Sequence, residues 1–277
     1  MERCDLLPVS AEEMHERGWW WYDALVVGGD AYVDHPSFGT AVISRVREAE
    51  GLRVAVLAQP DWHDAEAFRA MGRPRLGVFI GAGNLDSMVA HYTAAKRRRS
   101  EDFYSPGKRS GCRPDRAAIV YCNRAREAFG PDMPIILGSL EASLRRFAHY
   151  DYWDDSVRRA ILFDAPADLL VYGMGEAATI EIAHRLKKKQ SVRTMTDIPG
   201  TGYITRDPSV CKFDHITLPS FEDVRDDKRL YAEATRTEYA EHDPIRGRAM
   251  IQPCEGRYLI INPPAMPLDT KELDRVA

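Results

Sequence analysis

Apolar residues along this chain come in short unbroken runs, separated by stretches with helical spacing. The runs cover residues 24–27, 53–58, 76–80, 134–137 and 169–172. They do not alternate with polar residues, as expected for strands covered on both faces. Glycine follows several of them, as Gly28-Gly29, Gly81-Ala82-Gly83, Gly138 and Gly173. Between the runs, helices are predicted over 38–50, 65–71, 114–129 and 177–189, and from Asn84 or Asp86 towards Arg99. A short helix over 10–17 comes first, with Ser10 as its cap and Glu13 three residues on. Strand and helix patterns alternating in this way predict an α/β fold, a doubly wound parallel sheet of about five strands with helices on both faces.

After Gln190 the rhythm changes. Ile198-Pro199-Gly200-Thr201-Gly202-Tyr203 reads as turns, 221–241 as one long charged helix, and 249–262 as a hairpin across Glu255-Gly256. Pro263-Pro264 ends the hairpin, and Asp269 caps a last helix that begins at Thr270. Two parts are expected: an α/β domain over 1–190, then a linker, long helix and β-hairpin over 191–277.

Composition acts mainly by exclusion. The chain has 277 residues, 44% hydrophobic and 29% charged, an ordinary globular mixture. A net charge of −4 gives no nucleic-acid or anionic-membrane signal. Met1-Glu2-Arg3-Cys4-Asp5 reads as leading into a charged helix, not as a signal peptide, and no run is long enough to span a bilayer. Five scattered cysteines do not suit a disulfide framework, so a cytoplasmic setting is expected. No Cys-x-x-Cys is present, and no metal site is expected in this chain.

In an open parallel sheet, ligands bind beyond the carboxyl ends of the strands. The loops expected there hold Asp30, Asp34, His35 and Ser37 after the first run, and Asn84 and Asp86 after the third. Glu141, Ser143, Arg145, Arg146, His149, Asp151 and Trp153 follow the fourth, and Glu176 the fifth. These are the candidate ligand-side or substrate-side residues; the catalytic residues are not identified. Asp34 and His35 could act as acid and base, although neighbours in sequence point apart and a structural His is the commoner outcome. Arg145-Arg146 and Arg158-Arg159 could hold phosphate or carboxylate, or pair with Asp151, Asp154 and Asp155. Glu176 could cap a helix, and the basic runs 96–99 and 187–189 suit helix C-termini. Gly81-x-Gly83 has Asp86 where a dinucleotide fingerprint needs a third glycine.

Longer motifs carry a resemblance. Gly29-Asp30-Ala31-Tyr32-Val33-Asp34-His35-Pro36-Ser37-Phe38-Gly39, Ala58-Gln59-Pro60-Asp61-Trp62 and Gly83-Asn84-Leu85-Asp86-Ser87-Met88 resemble signatures of the YgiQ-type radical SAM proteins. So do Glu141-Ala142-Ser143-Leu144-Arg145-Arg146, Ala148-His149-Tyr150-Asp151-Tyr152-Trp153 and Ile261-Asn262-Pro263-Pro264-Ala265. Ser139 stands where the family usually has glycine. The resemblance is to the family's N-terminal region, which is similar to a flavodoxin-like, cobalamin-binding-like domain. It implies a [4Fe–4S] cluster and S-adenosylmethionine in the full-length protein. The three cluster thiolates, spaced Cys-x-x-x-Cys-x-x-Cys, are absent from this sequence and are expected in a downstream radical SAM domain, the implied partner. The Asp-x-His-x-x-Gly cobalamin signature is also absent, since Asp34 and His35 are adjacent and Gly39 lies four residues on. That counts against cobalamin. The reading is therefore an N-terminal domain that shapes the substrate side, for a small or macromolecular substrate. The alternative is a stand-alone, non-catalytic module that binds a small ligand or partner.

Overall fold

In a computed structural model that describes residues 6–276, each expected apolar run becomes a strand. The first five residues, with Cys4 and the N-terminal reading made above, lie outside the described residues, as does Ala277. In chain order the strands are β1 (Ala24–Gly28), β2 (Val54–Ala58), β3 (Gly77–Gly81), β4 (Ile135–Leu137), β5 (His149–Asp151), β6 (Ser156–Arg158) and β7 (Leu169–Val171). β8 (Thr201–Thr205), β9 (His215–Thr217), β10 (Ala249–Cys254) and β11 (Arg257–Ile261) follow. The helices are α1 (Ala11–Glu16), α2 (Gly39–Ala49), α3 (Glu66–Ala70), α4 (Ser87–His91), α5 (Ala117–Phe129) and α6 (Ser139–Leu144). After them come α7 (Glu176–Lys187), α8 (Phe221–Asp226), α9 (Lys228–Ala240) and α10 (Thr270–Val276).

Five strands run parallel in the order β2-β1-β3-β4-β7. The chain leaves β1 towards β2 and returns on the other side at β3, so the switch point lies between β1 and β3, as in flavodoxin-like sheets. Leu25, Val27, Val78, Ile80, Ile135 and Leu137 face the layer formed by α3 and α5. Val26, Val54, Phe79, Ile136 and Val171 face the opposite layer, where α2 packs against α7.

The sheet does not stop at five strands. β8 pairs antiparallel with β7, and β11, β10 and β9 continue outward to make nine. The expected hairpin is present as β10 and β11, but it is built into the main sheet. The stretch read as turns holds β8, whose short Thr-Gly-Tyr-Ile-Thr sequence gains strand character from its neighbours β7 and β11. Two further expectations change, and one element is new. The helix expected to reach Arg99 ends at His91, where Tyr92 turns extended, so the basic run 96–99 lies in a loop. The long charged helix breaks into α8 and α9 because Asp227 is extended and its side chain caps α9. A small separate hairpin, β5–β6, follows α6. At the outer side of β2, Val56 N–H donates to the carbonyl of Pro8 at 2.9 Å.

Candidate functional site

The loops after β1 and β3 meet backbone to backbone. A Cβ on Gly29 would fall 2.0 Å from the Ala82 carbonyl oxygen, and one on Gly83 would fall 2.2 Å from the Asp30 carboxylate. Glycine is required at both places by contact alone. Asp30 is buried and accepts from Asn84 N–H at 2.7 Å. Its other oxygen lies 2.9 Å from Arg113 Nη1, and Arg113 also donates to Asp102 and to the Ala82 carbonyl. Burial raises the Asp30 pKa, and Arg113 pulls against it. Asp30 thus belongs to a buried Asp–Arg–Asp cluster that locks the two loops. Sequence gives no signal for Arg113 and Asp102, because a polar loop shows nothing of its burial.

Asn84 fastens the next stretch, donating to the Ser37 carbonyl at 3.1 Å and accepting from Gly39 N–H at 3.4 Å. Asp34 pairs with Arg45 on α2. His35 is exposed, and its Nδ1 accepts from Ser37 N–H at 3.1 Å. The acid–base pair considered for Asp34 and His35 is not assembled.

Asp86 caps α4 through the N–H groups of Met88 and Val89, and its second oxygen meets Arg145. Glu141 is fully buried and accepts from Ser87 N–H, Ser87 Oγ and Ala118 N–H at 3.0, 2.6 and 3.2 Å. Burial raises its pKa, against those donors. Glu141 ties the starts of α4 and α5 to α6, and Asp86 ties the start of α4 to the end of α6. Ser143 bonds back to the Ser139 carbonyl within α6 and accepts from Gly173 N–H at 3.4 Å.

Farther along the edge, Arg158 pairs with Asp151 and Asp154 as considered, and Arg116 joins it on both. Arg145 pairs with Asp86, and Arg159 with Asp164 and Glu255. Burial alone would raise Asp151, but Arg116 and the N–H groups of Asp154 and Trp153 hold it below the usual carboxylate range. Trp153 packs near Tyr92 and Tyr152 at 5.3 Å between ring centroids. Arg146 bonds to the Ser143 carbonyl, stacks near Tyr172 and lies 3.1 Å from His242 Nδ1. His149 donates from Nδ1 to the Phe147 carbonyl, its Nε2 is buried without a partner, and burial lowers its pKa. Beside this group, burial pushes half-buried Glu238 of α9 up to about 7, opposed by Arg146.

A cavity of about 320 Å³ opens at the switch point between α2 and α7. Gly39, Gly83, Asn84, Ser139, Gly175 and Glu176 stand round its mouth. Its walls are Val26, Ile43, Phe79, Ile136 and Val171, and Arg47 lines it as well. Glu176 does not cap α7 by a side-chain bond, and its Oε2 is buried without a partner. Ser139 adopts φ +74°, the left-handed region that favours the family's glycine, and its Oγ accepts from Ala82 N–H at 3.1 Å. Of the expected site residues, Asn84 and Glu176 line this cavity; the others lock loops or lie along the neighbouring edge.

Cys112, Cys122, Cys211 and Cys254 are free, and among the described residues no three His, Cys, Asp or Glu side chains gather to hold a metal ion. Burial raises the Cys122 thiol strongly and pushes Cys254 up to about 12, the reverse of what a thiolate ligand needs. These residues do not fit an iron–sulfur cluster. No helix among the described residues is long and apolar enough to cross a membrane.

A family model described as "Radical SAM N-terminal" matches residues 6–277. A UPF0313 protein of Clostridium botulinum (strain 657 / Type Ba4) is 52% identical over 276 residues, covering 100% of this chain and 43% of the relative. A UPF0313 protein of Clostridium perfringens (strain SM101 / Type A) is 51% identical, covering 100% and 42%. The chain therefore spans less than half the length of these relatives, and a module that acts alone is not the reading they favour. Among solved structures, the radical S-adenosylmethionine methyltransferase TsrM from Kitasatospora setae, with cobalamin and a [4Fe-4S] cluster bound, gives a TM-score of 0.40 at 18% identity. That match covers 66% of this chain and 27% of the other.

Proposed function

The chain belongs to the radical SAM N-terminal family, and on that footing we propose that it is the N-terminal domain of a radical SAM iron–sulfur enzyme. Its carboxyl edge shapes the substrate side of a catalytic domain supplied by the rest of the protein. The observation that carries this reading is the combination of family membership along the chain with four buried or half-buried cysteines that nowhere converge. The cluster and S-adenosylmethionine belong to the whole protein, and the cysteines described in this chain do not supply the cluster's ligands. Its own residues form a braced rim: Asp30 with Arg113, Asn84 with Ser37, and Asp86 with Arg145 hold the loops that frame the switch-point cavity.

The test is anaerobic reconstitution of the full-length protein with iron and sulfide, followed by chromatography for 5′-deoxyadenosine after reduction in the presence of S-adenosylmethionine. The full-length protein is expected to form it, and the 277-residue chain treated identically is not. Product from the short chain, or none from a full-length protein carrying its cluster, would sink the reading.

A further inference from the structure

Arg47 is a charged residue in an apolar place. It lies two turns along α2 from the cavity mouth, about 12 Å inward at 1.5 Å per residue. Only 2% of its surface is exposed. Its guanidinium stacks on the Phe79 ring at 3.5 Å from the centroid. One hydrogen bond holds it, from Nη1 to the Ile43 carbonyl at 3.0 Å, and Nε is buried with no partner. Among the described residues no carboxylate forms an ion pair with it. Burial pulls its pKa well below the ordinary guanidinium value. A buried cation without a counter-charge is costly, and in folded proteins such groups are paired.

The cavity supplies room for the missing partner. Its walls are apolar on the sheet side, from Val26, Phe79, Ile136 and Val171. At the mouth stands the opposite sign, the Glu176 carboxylate with a buried oxygen unpartnered. An anionic group is therefore disfavoured beside Glu176 and favoured at Arg47, which orients an occupant with its anion inward. We infer that the switch-point cavity binds a small molecule whose apolar body carries a carboxylate or phosphate, seated on Arg47. Such a charge-assisted, bidentate-capable contact is what a guanidinium does better than an ammonium. The inference concerns this chain alone and stands whether or not the radical SAM reading does.

Fluorescence titration of the 277-residue chain tests it, with 8-anilinonaphthalene-1-sulfonate as anionic probe and uncharged N-phenyl-1-naphthylamine as its counterpart. The anionic dye is expected to bind with one-to-one stoichiometry and about ten-fold or more tighter than the neutral one. Arg47→Met should remove that preference by weakening the anionic dye alone, and Arg47→Lys should keep part of it. Equal binding of the two dyes to the unaltered chain, or an unchanged anionic dye on folded Arg47→Met, overturns the inference. If Arg47→Met does not fold, Val42→Trp, a larger side chain at another residue lining the cavity, decides. Loss of dye binding supports the site, and retained binding overturns it. Competition by phenylphosphate and by 3-phenylpropionate then ranks the two head groups, and competition by neither overturns the assignment.

Discussion

Single residues in this protein show how burial changes the meaning of a charge. Glu238 has its pKa pushed from 4.5 up to about 7, because burial outweighs Arg146. In the window between those values the folded chain holds a proton that the unfolded chain releases. Stability from this group is thus fully present below about pH 4.5 and is lost as pH rises through about 7. Glu238→Gln should leave urea stability unchanged at about pH 4.5 and raise it by about 2 kcal/mol relative to the unaltered chain at about pH 8. Parallel pH dependences for the two proteins would show that Glu238 is not desolvated. Arg47 is the residue whose place was legible and whose importance was not. Thr40, Ile43 and Arg47 share one stripe of the helix predicted over 38–50, so a charged residue on an inward stripe was there to be noticed. Asp30 and Glu141 were singled out as ligand-side carboxylates, but their carboxylates are engaged by Arg113 and by Ser87 and Ala118. Sequence reports residue type, whereas partnership depends on contacts made across 80 or so residues of chain, as between Asp30 and Arg113.

Elements divide into those written locally and those made by their neighbours. β1, β3 and α5 follow from continuous apolar runs and from helical spacing, and each lies close to its expected bounds. β8 and β9 do not, because Thr201–Thr205 carries a glycine and His215–Thr217 has three residues; pairing with β11 and β10 supplies their character. The connection between elements at the rim is ionic. Arg113→Met would leave Asp30 and Asp102 buried without their counter-charge, and should cost about 3–5 kcal/mol in thermal or urea denaturation. Arg45→Met, at the partly exposed pair with Asp34, should cost at most about 1 kcal/mol. Equal losses from the two variants would mean that the buried cluster does not hold the loops.

At the scale of the whole molecule, the five-stranded parallel part and the mixed part over β8–β11 share one sheet through β7 and β8. Tyr172 Oη donates to the Asn262 carbonyl at 2.6 Å, and Asn262 Nδ2 bonds to Thr201 Oγ1 and the Ile198 carbonyl at 3.0 Å, so buried polar bonds also cross the joint. The chain is expected to unfold in urea as one cooperative transition, with far-ultraviolet circular dichroism and tryptophan fluorescence changing together. All five tryptophans precede residue 190, so two separated transitions would show that the joint does not couple the halves.

A sheet of nine strands has two rims where hydrogen-bonding groups could recruit a foreign strand. One rim is β2, and the carbonyl of Pro8 already occupies Val56 N–H there, while the proline has no N–H of its own to offer outward. The other rim is β9, only three residues long and preceded by exposed Lys212 and Asp214. Both rims are therefore poor templates for growth from chain to chain, and the sheet can be wide without being sticky.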